Sequence, residues 1–239
     1  MDYTLRKVFE KIPQMIDVIY LIDSSSDTYT TLKDNALFHS VFGNSGSYSK
    51  MLQTHFLFMV EDIHESHIRL MNDLKKYENL ANNDSLTGLF NRGRIDSEIN
   101  SCIERCHSEN KPVSLIMFDI DHFKHVNDTY GHAVGDYVIK TVSSIASKHL
   151  ITHGGKLGRW GGEEFIGVFE NITGDRIAEI AEELRVMISE YSFETVGNIT
   201  SSFGVLEVNA DESPSAVFQR IDSALYQAKN AGRNKVMRG

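Results

Sequence analysis

The order of apolar segments in the second half of the chain is the feature that most constrains its fold. Val113–Ile120 (VSLIMFDI) is a continuous apolar run of strand length, which is typical of a buried strand. A segment with helical spacing follows, then two strand-like segments separated by two glycines, a second helix and another strand. The predicted strands are 113–120, 156–160, 165–169, 199–208 and 235–237, and the predicted helices are 92–107, 133–150, 175–190 and 215–230.

From residue 113 onward this order is the ferredoxin-like βαββαβ arrangement of an α+β fold. Its two crossover connections interleave, so the first and third strands become antiparallel neighbours. The end of the first strand then lies beside the start of the third. Asp119 stands at the first of these ends, and Glu163 and Glu164 stand at the second. The topology therefore predicts that three carboxylates from distant parts of the sequence lie together.

The run from Arg159 to Phe165 (RWGGEEF) is typical of a hairpin turn with acid groups at its tip. Clustered carboxylates repel one another unless a cation or a proton lies between them. Hard oxygen ligands select Mg²⁺ or Mn²⁺. The combination predicts metal-assisted phosphoryl or nucleotidyl transfer, and the alternative is an acidic hairpin tip exposed to water.

The polar stretch between Asp119 and Asp136 adds groups suited to a nucleotide. Lys124 is a cation close to the acid cluster, as a polyphosphate would require. Asn127 and Asp136 can hydrogen-bond the edge of a base, and the adjacent N–H donors of guanine suit a carboxylate. The alternative is that Asp128 and Asp136 only cap helices.

Charge and composition exclude several classes of protein. The net charge of −9 over 239 residues argues against general nucleic-acid binding, which needs a basic surface. Cys102 and Cys106 are too sparse for a disulfide framework or a zinc site, so we expect reduced thiols in a cytoplasmic protein. No apolar run approaches the roughly 18 residues that span a membrane, which predicts no membrane segment in this chain.

Three regions are predicted along the chain. Residues 1–60 form a small α/β, sensory-like segment that resembles the start of a PAS-type sensor domain without its later strands. Residues 61–82 form a polar helix whose narrow apolar seam includes Leu70, Leu74 and Tyr77, which favours a two-stranded coiled coil over a single helix packed on its own domain. Residues 83–239 form the main domain.

Four segments of the main domain, 84–92, 119–136, 159–165 and 228–234, resemble the GGDEF family of diguanylate cyclases in sequence and in order. The resemblance implies a palm-like nucleotidyl cyclase fold. It also implies that two GTP molecules, one on each protomer of a homodimer, condense to cyclic di-GMP and two pyrophosphates. The helix at 61–82 would then set the geometry of the dimer.

The resemblance also assigns roles to individual residues. Asp119, the Ile120 carbonyl and Glu163 would bind Mg²⁺ (or Mn²⁺), Glu163 would also activate the ribose 3′-hydroxyl, and Glu164 would support the site. The implied substrate-binding residues are Asn127 and Asp136 for guanine, Phe123, Lys124, Lys229 and Arg233 for the triphosphate, and Gly161 and Gly162 for clearance.

The chain departs from the family pattern at several positions. Members often carry an inhibitory product site formed by an arginine and an aspartate, but Thr152 and Gly155 stand there in this chain, so we expect no feedback inhibition of that kind. Gly93 replaces a common second arginine, Trp160 a common tyrosine, and Glu163 the usual aspartate. Two other functions stay open: a non-catalytic GTP-binding regulatory module, and a cyclase that makes a mixed cyclic dinucleotide.

Overall fold

The computed structural model describes residues 68–109 and 111–239 of the chain. Their helices are α1 (68–82), α2 (Arg92–Glu109), α3 (Phe123–Tyr130), α4 (His132–Thr152), α5 (Gly174–Glu190) and α6 (Pro214–Asn230). The strands are β1 (Val113–Ile120), β2 (Lys156–Gly161), β3 (Glu164–Glu170), β4 (Ser192–Phe193), β5 (Gly197–Asn198), β6 (Ser201–Glu207) and β7 (Val236–Arg238). The chain divides into two compact units, Met1–Tyr77 and Glu78–Gly239.

A five-stranded sheet in the order β2–β3–β1–β6–β7 forms the centre of the second unit. β1 is antiparallel to both β3 and β6, and β7 adds a parallel edge strand beside β6. The predicted interleaving of the two crossovers is confirmed, and so is the α+β, palm-like fold. The sheet therefore brings the end of β1 beside the start of β3.

Helices cover both faces of the sheet, which explains why every residue of β1 is buried. On one face Ile116, Phe118 and Ile120 pack with the apolar sides of α4 and α5. On the other face Leu115 and Met117 pack with α2 and α6. This double covering requires an apolar residue at nearly every position of β1, and that requirement is the origin of the continuous VSLIMFDI run.

Stacked aromatic rings fix the three central strands at the same level of the core. The ring of Phe118 on β1 stacks on Phe165 of β3 and on Phe203 of β6, with both centroid distances 5.0 Å. Because Phe118 immediately precedes Asp119, this stack holds the polar end of β1 at a fixed height beside the hairpin of β2 and β3.

The structure contains elements that the sequence patterns did not predict. The helix α3 is only eight residues long, and its two buried residues, Phe123 and Val126, are too few to show helical periodicity. The β4–β5 hairpin has only two residues in each strand, which is too short for an alternating apolar pattern to be recognised. The segment around Phe123 and Lys124, to which no regular structure was assigned from the sequence, is the first turn of α3.

Residues 1–67 lie outside the described part, so the predictions for the N-terminal segment and for the first residues of the linker helix stay predictions. The described part of that helix carries the expected seam, and Leu70, Leu74 and Tyr77 are all exposed. Among residues 68–109 and 111–239, no helix is both long enough and apolar enough to cross a membrane.

Candidate active site

Asp119 of β1 lies directly opposite Glu164 of β3 in the antiparallel register. Glu163 belongs to the turn that precedes β3, and its carbonyl accepts a hydrogen bond from the Ile120 amide at 3.4 Å. Asp119 is only 6% exposed, whereas Glu163 and Glu164 are half-buried. The three carboxylates predicted to converge therefore do so, at one end of the central strands.

The pKa of Asp119 is raised from 3.8 to about 6, chiefly because burial disfavours the charged form. The negative charges of Glu163 and Glu164 raise this pKa further. The Nζ of Lys229 on α6 opposes the shift, since it lies 2.9 Å from Oδ2 of Asp119. A buried carboxylate beside two others is the electrostatic situation that favours a bound cation.

The donor set suits a hard divalent ion. The side chains at this end of the strands offer carboxylate oxygens, and the backbone adds carbonyl oxygens such as that of Ile120. Mg²⁺ and Mn²⁺ prefer oxygen ligands of this kind. The residues that are present therefore fit the metal that the sequence implied, and Lys229 partly offsets the negative charge of the cluster.

Arg159 holds the hairpin turn in place. Its Nε and Nη2 donate hydrogen bonds to the Gly162 carbonyl at 2.9 and 2.7 Å, and its Nη1 lies 3.1 Å from Oδ2 of Asp84. Asp84 also accepts hydrogen bonds from the Thr87 amide and hydroxyl. Burial acts to raise the pKa of Asp84, but the bonds from Thr87 and the charge of Arg159 outweigh it and the pKa is lowered. Sequence reasoning assigned no role to this pair, although both residues lie in segments that carry the family resemblance.

The turn itself is open. Gly161 pairs with Glu164, which leaves Gly162 and Glu163 as a two-residue loop. A Cβ placed on Gly162 would meet no atom within 4 Å, and one placed on Gly161 would come no closer than 4.0 Å to Oε2 of Glu164. Among the described residues no side chain covers the two glycines, which is consistent with the predicted clearance for a ligand.

Asp121 is a second buried carboxylate that sequence reasoning left without a role. It is 4% exposed and accepts hydrogen bonds from the hydroxyls of Thr200 and Ser202, both at 2.7 Å. The amide of Asn234 donates a third bond at 3.0 Å. Asp121 thus ties the end of β1 to the segment after α6, which carries Arg233. Only its position two residues after Asp119 could have drawn attention to it.

Asn127 and Asp136 lie on consecutive helices, α3 and α4. Asn127 is half-buried and Asp136 is exposed. The side chain of Asn127 packs against Gly135, the residue before Asp136, because a Cβ at position 135 would overlap Oδ1 of Asn127. The alternative assignment of Asp128 and Asp136 as helix caps is wrong: His122 and Gly131 occupy the cap positions, and both aspartates lie within their helices.

The residues predicted to hold a triphosphate are differently placed. Phe123 is buried in the core and can offer a ligand only its backbone, while Lys124 is exposed in the first turn of α3. Lys229 is half-buried against Asp119, and Arg233 is exposed just beyond α6 with a positive φ of 63°. The structure therefore brings Lys229 to the acid cluster itself, where we had expected it only at the phosphates.

The positions of the family's inhibitory product site lie at the other end of α4. Thr152 is the last residue of this helix and is exposed, and its hydroxyl donates to the His149 carbonyl at 2.6 Å. Gly155 is buried, and a Cβ there would overlap the ring of Phe169. A residue with a side chain at position 155 would require this part of the core to rearrange.

Comparison with known proteins identifies the family to which the domain belongs. The sequence model described as "Diguanylate cyclase, GGDEF domain" matches residues 81–235. The chain is 39% identical over 175 residues to the diguanylate cyclase VdcA of Vibrio cholerae, a match that covers 71% of this chain and 50% of VdcA. The chain thus spans about half the length of this curated relative.

Two solved structures extend the comparison to the fold. The coiled coil and GGDEF domain of DgcB from Caulobacter crescentus, in complex with c-di-GMP, has a TM-score of 0.71 and 32% identity, and the match covers 76% of this chain and 97% of that one. The active GGEEF domain of a diguanylate cyclase from Vibrio cholerae has a TM-score of 0.59 and 33% identity, with 62% and 96% covered. The family match, the curated relative and both structures agree: the chain belongs to the GGDEF domain family of diguanylate cyclases.

Proposed function

We propose that this chain is a diguanylate cyclase that condenses two molecules of GTP into cyclic di-GMP with release of two pyrophosphates. The observation that carries the proposal is the placement of Asp119 opposite Glu164, with Glu163 in the adjoining turn. In each of two equivalent steps, the ribose 3′-oxygen of one GTP attacks the α-phosphorus of the other, and pyrophosphate leaves. The family and its named relatives support this reaction.

Different residues of the cluster have different roles in the proposed reaction. Asp119, Glu163 and the Ile120 carbonyl would hold Mg²⁺ (or Mn²⁺), which polarises the α-phosphate and lowers the pKa of the attacking hydroxyl. Glu163 also accepts the proton of the 3′-hydroxyl, and Glu164 supports the site beside it. Lys229, which lies against Asp119, would supply positive charge to the triphosphate together with Lys124 and Arg233.

Recognition of guanine falls to the junction of α3 and α4. Asn127 and Asp136 together present an amide and a carboxylate to a base edge, and the carboxylate accepts the N1–H and N2–H donors of guanine. Adenine lacks this pair of donors, so the same groups discriminate against ATP. The backbone at Phe123 and the open turn at Gly161 and Gly162 leave room for the phosphates.

The reaction requires two copies of the domain, because each site holds one GTP and therefore half of the reactants. We propose that the helix of residues 61–82 joins two protomers through its apolar seam, between a sensory-like segment at 1–60 and the catalytic domain at 83–239. The exposed side chains of Leu70, Leu74 and Tyr77 support this assembly, since a partner helix would cover them.

The test is to incubate the protein with Mg²⁺ and GTP, with and without an equal concentration of ATP, and to identify the products. We expect cyclic di-GMP and two pyrophosphates for each product molecule. Glu163→Gln should abolish turnover, whereas the control variant Glu104→Gln, which removes an exposed carboxylate of α2, should leave it unchanged. Binding of GTP without turnover would indicate a non-catalytic, GTP-binding regulatory module. A mixed product from GTP and ATP would indicate a cyclase that makes a mixed cyclic dinucleotide. Full activity of Glu163→Gln would refute the role given to this residue.

A further inference from the structure

Two histidines and a glutamate form a cluster between α4 and α5 that the proposed reaction does not use. His149 lies in the last turn of α4 and His153 is the C-cap residue four positions later, and their rings lie side by side. Glu183 reaches them from α5. We call these three residues the α4–α5 histidine cluster.

The ligand atoms of the cluster are already close together. Nε2 of His149 lies 3.5 Å from Oε2 of Glu183, and Nε2 of His153 lies 3.9 Å from the same oxygen. One ligand atom from each residue lies within 4.8 Å of the other two. Ligands of a tetrahedral zinc ion are about 3.3 Å apart, as metal–ligand distances of about 2.0–2.1 Å require, so small side-chain rotations would close the site.

Two backbone hydrogen bonds fix the main chain at the end of α4. The amide of Gly155 donates to the Leu150 carbonyl at 3.0 Å, and the amide of His153 donates to the same carbonyl at 3.2 Å, which ends the helix in a tight turn. The side chain of His149 is only 11% exposed, and the rings of the two histidines meet edge to face with centroids 5.0 Å apart. The cluster thus has one fixed member and two that can adjust, because Glu183 is half exposed and His153 is partly so.

We propose that the α4–α5 histidine cluster binds a divalent transition-metal ion, with Zn²⁺ as the best fit. Imidazole suits Zn²⁺, Ni²⁺, Co²⁺ and Cu²⁺, and two histidines four residues apart on a helix with a carboxylate from elsewhere are a recurring zinc ligand set. Mg²⁺ prefers oxygen ligands and would not compete for two imidazoles. Solvent would complete the coordination of the ion.

Two contacts of the α4–α5 histidine cluster must change when a metal ion binds. Nε2 of His149 faces the Ile180 carbonyl at 3.1 Å as well as Glu183, and both of these are acceptors, so this nitrogen carries the proton. Binding through Nε2 moves the proton to Nδ1 by exchange with solvent. Arg176 lies 3.6 Å from the other carboxylate oxygen of Glu183 and can swing away, since it is exposed and also pairs with Glu179.

The cluster is well separated from the candidate active site. His149 is 13 residues beyond Asp136 on the same helix, which at 1.5 Å per residue is about 20 Å. A metal ion there would join α4 to α5 without touching the carboxylates around Asp119. The inference therefore does not depend on the proposed reaction, and either could fail without the other.

The experiment measures zinc bound by the full chain, free of any histidine tag, by equilibrium dialysis in excess Mg²⁺. Because the chain has ten histidines, the measure is the difference between variants rather than the total zinc. We expect His153→Ala and Glu183→Gln each to lose one tight equivalent. The exposed control His107→Ala and the active-site variant Glu163→Gln should keep it.

A second measurement reports on the ligands directly. Co²⁺ bound by two nitrogens and a carboxylate gives a visible absorption band, which should be present in the wild-type chain and in His107→Ala and much weaker in Glu183→Gln. Zinc should also raise the melting temperature of the wild type and not that of Glu183→Gln. If His153→Ala and Glu183→Gln bind as much zinc as the wild type, the cluster is only a hydrogen-bonded link between two helices and the proposal is wrong.

Discussion

Lys229 on α6 lies 2.9 Å from Asp119 on β1, across 110 residues of sequence, and shares the buried end of that strand with two glutamates. Lys229 therefore offsets only part of the negative charge of the three carboxylates. Because the pKa of Asp119 remains raised to about 6 in spite of this lysine, the balance is incomplete. The remaining negative charge favours binding of a cation, and it lowers the stability of the folded protein when no cation is bound.

Replacing Asp119 with asparagine should stabilise the metal-free protein in a pH-dependent way. A carboxyl whose pKa rises from 3.8 to about 6 on folding contributes stability below the lower value and loses it as the pH rises through the upper one. At about pH 7.5 in EDTA, we expect Asp119→Asn to be more stable by about 2–3 kcal/mol, since one pKa unit corresponds to about 1.4 kcal/mol. Denaturant titrations between about pH 4.5 and 7.5 measure the difference, which should shrink toward the acid end. A difference that does not vary with pH would contradict this account of Asp119.

Gly135→Ala should weaken GTP binding by displacing Asn127. The new Cβ would overlap Oδ1 of Asn127, so the amide must rotate away from the position it holds on α3. Loss of one base-edge interaction worth about 1.4 kcal/mol would reduce affinity about tenfold, and we expect discrimination between GTP and ATP to fall with it. Gly93→Ala is the matched control, because a Cβ there meets only Oδ1 of Asn91, at 3.7 Å. Unchanged nucleotide selectivity in Gly135→Ala would remove Asn127 from guanine recognition.

Asp84→Asn should destabilise the hairpin that carries the glutamates. Asparagine keeps the shape of the side chain but leaves Arg159, which is largely buried, without its counter-ion. We expect the free energy of unfolding to fall by about 1–3 kcal/mol, the usual cost of leaving a buried polar group badly paired. Turnover should fall as well, because Arg159 also holds the Gly162 carbonyl.

Asp175→Asn is the control for this change. It breaks an ion pair with Arg238 in which both side chains are exposed, so its effect should stay below about 1 kcal/mol. Thermal denaturation and initial rates of the two variants measure the contrast. Equal effects on stability would show that the Arg159 pair is no more than a surface interaction.

The convergence of Asp119 with Glu163 and Glu164 could be predicted from the sequence, because the interleaved crossovers of the βαββαβ order place the first and third strands side by side. The pairing of Arg159 with Asp84, 75 residues away, could not. Several acidic residues could serve as the partner of an arginine, and only the packed structure selects one. The burial of Asp121 could not be predicted from the sequence for the same reason, since its three hydrogen-bond donors come from two distant segments.

The α4–α5 histidine cluster could likewise not be predicted from the sequence, because it depends on how two helices pack. The spacing of His149 and His153 is visible in the sequence, but the position of Glu183 depends on how α5 is rotated against α4. That rotation is fixed by the shared core beneath both helices. Short elements are also lost to sequence patterns, as α3 was, because two buried residues do not establish a period.

Leu74→Glu should separate the protomers and reduce turnover together. Leu74 is exposed at the centre of the apolar seam, and a charge there would be buried against its own copy in a coiled coil. We expect a larger monomer fraction in sedimentation experiments and a matching loss of activity that a high protein concentration restores. Asn72→Glu introduces the same charge off the seam and is the control. A monomeric Leu74→Glu protein with full activity at every concentration would contradict the proposed dimer.

Inhibition by the product should be absent in the wild type and should not return when the family's two residues are restored. The wild-type chain has Thr152 and Gly155 at these positions, so we expect cyclic di-GMP to leave initial rates unchanged at concentrations comparable to GTP. In Thr152→Arg/Gly155→Asp, the aspartate Cβ would overlap the fully buried ring of Phe169. Such overpacking typically costs about 1–3 kcal/mol, whereas Thr152→Arg alone, at an exposed position, should leave stability nearly unchanged. Calorimetry with cyclic di-GMP and denaturant titrations measure both effects. Tight product binding by the wild type, or a double variant that is both stable and inhibited, would show that this end of α4 accommodates the product after all.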